Sequence, residues 1–66
     1  MRKKLVTICW TTTVLQEIPD HITDEQLLEA DFRSPEDVQK IACEAIKEAY
    51  DNMQAKDGEI TDIQDE

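Results

Sequence analysis

From Lys4 to Leu15 the chain runs Lys-Leu-Val-Thr-Ile-Cys-Trp-Thr-Thr-Thr-Val-Leu, rich in β-branched residues and free of Gly, Pro, Asn and Asp. Such a run suits the pleated, half-buried surface of a strand. Alternation puts Val6, Ile8, Trp10, Thr12 and Val14 on one face and Leu5, Thr7, Cys9, Thr11, Thr13 and Leu15 on the other, and the first is the better core candidate. At about 3.3 Å per residue this stretch would span roughly 40 Å, too far for a small domain, so it is expected to bend or break near Thr11 to Thr13 or to pair its end with a partner chain.

The period changes after residue 18. Ile18-Pro19-Asp20-His21-Ile22 reads as a connector, because proline fixes its own φ and removes a ladder donor. Thr23 then stands as an N-cap with Gln26 at the reciprocal capping-box position, and Ile22 and Leu27 have the spacing of a hydrophobic staple, predicting a short helix over 24–30. Ser34-Pro35-Glu36-Asp37 starts a second helix with a capping serine, a first-turn proline and two acids where the macrodipole favours them. Its apolar positions, Val38, Ile41, Ala42, Ala45, Ile46, Ala49 and Met53, follow a helical stripe, with Tyr50 at the margin and Gly58 as terminator, which predicts a helix over 35–55. Residues 59–64 are expected to form a second strand pairing with the first, although Ile60 and Ile63 are three apart and would face opposite sides of a regular strand. The fold expected is α+β, a single domain over 1–66: a two-stranded antiparallel sheet from 3–15 and 59–64, covered by the long helix and flanked by the short one.

Length and charge narrow the function. With 66 residues and 7.6 kDa, a single core seldom supplies more than about 3–5 kcal/mol. A marginal two-stranded sheet with an overlong strand leads us to expect a homodimer. Sixteen acids against seven bases give a net charge of −9 and an isoelectric point near 4.3, which argues against direct contact with nucleic acid or an anionic membrane. The charge is uneven. Residues 1–16 carry Arg2, Lys3 and Lys4 and no acid, whereas every acid falls in residues 17–66 beside Arg33, Lys40, Lys47 and Lys56. The basic start reads as edge protection by lysine on the first strand. Cys9 and Cys43 lack any Cys-x-x-Cys spacing, and neither a signal-like apolar stretch nor a membrane-length one occurs, so a reducing, cytoplasmic setting is expected.

The parts for chemistry are scarce. His21 is the only histidine, Ser34 the only serine and Gly58 the only glycine, and the cysteines have no neighbouring base in sequence. Nucleophilic catalysis needs a base beside the nucleophile, zinc sites need regular ligand spacing and phosphate cradles need several glycines. No enzymatic activity, metal or cofactor is therefore expected. The acids remain. Asp37, Glu44, Glu48 and Asp51 occupy the outer side of the long helix, where Glu36–Lys40 and Glu44–Lys47 can pair locally, and Glu25 and Glu29 extend the acidity onto the short helix. Together they form a candidate ridge for a protein partner with a basic, nucleic-acid-binding surface.

A Met-Arg-Lys-Lys start leading directly into a strand, a capped helix and a short acidic end together resemble small acidic proteins of phages and mobile elements, anti-CRISPR and anti-restriction inhibitors among them. The resemblance covers the whole chain and rests on size, layout and charge. It implies a stoichiometric inhibitor that works by binding in the host cytoplasm and has no catalytic residues. The rival expectation is a small homodimeric structural or regulatory protein, such as an antitoxin-like or assembly subunit.

Overall fold

A computed structural model describes residues 1–53 and 57–66. In chain order the elements are β1 (Arg2–Ile8), β2 (Thr12–Ile18), α1 (Asp24–Leu28), α2 (Glu36–Asp51) and β3 (Ile60–Asp65). The strands form one antiparallel sheet in the order β2-β1-β3. The class is α+β, as expected, but the sheet has three strands where two were expected.

The extra strand comes from folding the first apolar run back on itself. Cys9 and Trp10 adopt φ of 55° and 64°, the left-handed pair required by a tight hairpin turn, and the Thr11 amide closes it on the Ile8 carbonyl at 3.1 Å. Ile8 stands opposite Thr12 and Arg2 opposite Ile18. Because the loop takes three residues, even-numbered positions stay on the inner face through the turn. Val6, Ile8, Thr12 and Val14 are accordingly buried, as the alternation predicts. Trp10 departs from it: at the tip of the turn it is 82% exposed. Ile18, read from the sequence as part of a connector, is the fully buried last residue of β2.

β3 resolves the spacing of its two isoleucines. Val6 stands opposite Ile63 and Thr7 opposite Asp62, yet Ile8 stands opposite Ile60, so the register slips by one residue at Thr61. That bulge turns Ile60 and Ile63 to the same side, where Ile60 is buried and Ile63 packs against the core. The strand itself begins and ends one residue later than expected.

Both helices lie on the inner face. The capping box of α1 forms: the Gln26 amide donates to Thr23 Oγ1 at 3.2 Å and the Thr23 amide to Gln26 Oε1 at 2.8 Å, although the helix ends at Leu28 instead of residue 30. Ile22 and Leu27 are both buried. At the start of α2 the N-cap is Pro35, with no side-chain cap bond. Ser34 serves elsewhere; its hydroxyl accepts the Asp31 amide at 2.9 Å. The stripe of Val38, Ile41, Ala42, Ala45 and Ala49 is buried, and the three alanines let the backbone of α2 approach the sheet closely. Met53 does not belong to it. It lies beyond the helix at φ 57° and is 90% exposed. Positions 54 and 55, to which the helix was expected to run, lie outside the described residues. Gly58 does not stop the helix either; a Cβ there would come within 3.2 Å of Ile46, so its value is close approach.

Candidate interaction surface

Asp37, Glu44, Glu48 and Asp51 are all exposed on α2. At 100° per residue their positions fall within about 60° of arc, so they form one line along the helix. The line lies on the flank above β2. Gln16 Nε2, on β2, donates to Glu48 Oε2 at 2.5 Å, and His21 Nε2 lies 3.6 Å from Asp37 Oδ2. α2 therefore runs back along β2, and a groove between its first half and the end of the strand is lined by Glu17, His21, Asp37, Lys40, Ile41 and Glu44 among others. Among the described residues no ion pair joins Glu36 to Lys40 or Glu44 to Lys47, so the local pairs expected from their spacing are not formed.

Glu25 and Glu29 are also exposed, but on α1. That helix packs beside Ala42 and Ile46 and against β3, on the other flank of α2. The six acids singled out from the sequence thus divide into a line of four and a separate pair.

The basic start of the chain is turned inward. Lys4 belongs to the central strand and faces α1, only 6% exposed. Its ammonium meets Asp65 of β3 and lies 3.2 Å from Asp24 at the start of α1. Arg2 donates to the Ile22 carbonyl and lies 3.6 Å from Asp24. The hydrogen bond from Lys4 to Asp65, then that to Asp24, holds the Lys4 ammonium above its ordinary pKa, and the same bond holds the Asp65 carboxyl below its own. Edge protection is therefore not the role of Lys4. Two of the three cations in residues 1–16 tie β1, β3 and α1 together, leaving Lys3 on the open face across from Glu17.

The groups considered for catalysis are dispersed. His21 follows the end of β2, whereas Cys9 occupies the turn at the opposite end of the hairpin. The Cys9 thiol sits between the Asp57 carboxylate and its carbonyl, at 2.7 Å from the latter, and accepts the Glu59 amide at 3.2 Å. Desolvation, and then the Asp57 carboxylate, push its pKa up, away from thiolate reactivity. Cys43 is exposed on the far flank of α2, in a groove shared with Phe32 and Ile46. No group of three or more His, Cys, Asp or Glu among the described residues is arranged to hold a metal ion. No described helix is long and apolar enough to cross a membrane.

Two surface features escape a reading of the sequence. One is the free edge of β2; the other is Trp10, displayed at the tip of the hairpin. Neither is visible while residues 4–15 read as one strand. No family model, curated protein or solved structure matches the chain.

Proposed function

We propose that the chain is a stoichiometric, non-enzymatic inhibitor that occupies a basic, nucleic-acid-binding surface of a protein complex, in the manner of a phage-encoded anti-defence protein of anti-CRISPR type. The observation that carries this reading is the line of four exposed carboxylates on α2, none of them in an ion pair with a lysine or arginine among the described residues. Exposed acids on a rigid helix steer a cationic partner and keep its lysines and arginines from phosphate. The ion pairs of Arg2 and Lys4 with Asp24 and Asp65 add support, because they engage cations that would otherwise weaken that field.

The test is a titration of purified defence effector complexes with the wild-type protein and with a Glu44→Lys, Glu48→Lys, Asp51→Lys variant. Exposed charges contribute only about 0–1 kcal/mol each to stability, so the variant keeps its fold. Wild type should abolish target cleavage at a one-to-one ratio with an effector it recognises, and the variant should need far more. Inhibition should weaken with salt, as the Debye length falls from about 10 Å at 0.1 M to 3 Å at 1 M. Inhibition that survives both the reversal and high salt would remove the electrostatic reading and move attention to exposed apolar residues such as Trp10 and Phe32. Failure against every effector would favour the structural or regulatory alternative.

A further inference from the structure

The edge of the sheet at β2 has a feature that the acidic line alone does not explain. In an antiparallel ladder, successive residues of a strand direct their backbone N–H and C=O groups to opposite neighbours. On β1 the direction is set by the residue after its end: the Cys9 amide donates towards β3, to the Glu59 carbonyl at 2.9 Å. Odd-numbered positions of the central strand thus bond to β3 and even-numbered ones to β2. It follows that on β2 the even positions face β1, and Thr13, Leu15 and Glu17 direct their amides and carbonyls outward. Among the described residues no strand lies beyond them.

Natural sheets blunt a free edge with bulges, charges or proline. The other edge has such devices: β3 is bulged at Thr61, carries Asp62 and Asp65, and has α1 packed against it. β2 is regular over seven residues and has only Glu17. Above this open edge stands the acidic flank of α2, close enough for Glu48 to take a hydrogen bond from Gln16. The strand of seven residues and the helix of sixteen are matched in length, about 23 Å and about 24 Å.

We propose that β2 is a docking edge for an extended, basic segment of a protein partner, which adds to the sheet as a fourth strand and places every second side chain, lysine or arginine, beneath Glu44 and Glu48. Backbone bonds to Thr13, Leu15 and Glu17 supply a sequence-tolerant grip, and the carboxylates of α2 supply the preference for cations. A second copy of this chain suits the edge poorly: pairing β2 with β2 brings two acidic flanks together in a molecule whose net charge is already −9. The proposal rests on the acidic-surface reading for its choice of cations and on the edge alone for its geometry, and these two parts fail separately.

The probe is a short peptide of alternating lysine and threonine, titrated into the isotope-labelled full chain. Binding should shift the amide resonances of Thr13, Leu15 and Glu17, slow their hydrogen exchange and weaken as salt rises. A matching peptide N-methylated at every second residue keeps its charge but cannot complete the ladder, and its affinity should fall by about tenfold or more. Equal affinity for the methylated peptide would overturn the edge while leaving the acidic surface standing. An unmodified peptide that binds the Glu44→Lys, Glu48→Lys variant as well as wild type, still protecting the three amides, would overturn the choice of cations and with it the acidic-surface reading. Absence of binding would overturn the whole proposal, as would protection of the same amides without peptide in a particle of twice 7.6 kDa, which would assign the edge to a second copy.

Discussion

Replacing Ile18 with valine tests the hairpin more sharply than any change near the turn. A single long strand followed by a connector would leave this residue at the surface beside Pro19; the hairpin makes it the fully buried end of β2, opposite Arg2. Valine retains the β-branch and removes one methylene, worth about 0.8 kcal/mol by transfer, and the unfilled space brings the cost into the range of about 0.5–1.5 kcal/mol. In a domain of this size each kcal/mol lowers the melting temperature by about 4–8 °C. Thermal unfolding followed by circular dichroism, repeated in urea to check that the denaturant slope is unchanged, measures the loss directly. Leu15→Ala is the control: the residue lies on the open face of the same strand and is 44% exposed, so truncating it removes a partly solvated side chain and leaves no cavity. A melting temperature for Ile18→Val within about 1 °C of wild type, against a shift several times larger expected from core burial, would refute the placement of this residue in the core.

Two further outcomes follow from the titrating groups. Asp65, whose folded pKa is depressed by Lys4, contributes stability above the unfolded carboxyl value of about 3.9 and loses it as pH falls through the lower folded value; Lys4, whose pKa is raised, contributes below about 10.4 and loses it as pH rises through the folded value. Lys4→Met should therefore lose the alkaline limb and flatten the acid limb of the stability–pH curve, and an unchanged curve would contradict the inward clamp. Ellman's reagent should label one thiol promptly, Cys43, and the other slowly, Cys9; mass spectrometry of peptides from the partly labelled protein identifies which reacted first.

Much of the helical half of this fold is legible from the sequence because its signals are local. Thr23 and Gln26 need only each other to form a capping box, and the burial of Val38, Ile41, Ala42, Ala45 and Ala49 follows from the helical period. The sheet is harder for a physical reason. A tight hairpin ordinarily declares itself with Asn-Gly or Asp-Gly, which accept positive φ; here Cys9 and Trp10 adopt it, with no residue type that marks a turn. The length of the run did signal an interruption, expected near Thr11 to Thr13 and found at residues 9–11, and because the three-residue loop preserves face parity the buried positions other than Trp10 could be read while the reversal could not. Ile60 and Ile63 pose the converse problem, since a bulge is set by pairing with a strand distant in sequence and has no local signature. Ser34 shows a third limit: its hydroxyl had two uses within reach, and the turn at Asp31 took it from the helix. For the candidate site, the line on α2 was legible from helical spacing. Its separation from Glu25 and Glu29 depends on how the helices pack, which spacing on either one does not contain.

The central position of β1 has a consequence for the order of assembly. Joining it to β2 closes a loop of three residues, whereas joining it to β3 brings Ile8 to Ile60 across most of the chain. Closure entropy grows with the logarithm of loop length, and the difference amounts to about 2.5 kcal/mol. The hairpin is thus expected to form first, and capture of the distant strand to be the late step. The reverse holds in the native state. Ladder amides between β1 and β3 are therefore expected to exchange ahead of those that pair β1 with β2, a sequence that hydrogen exchange would read, and Lys4, which grips Asp65 from the middle of the sheet, would act as a latch on the strand with the most entropy to regain.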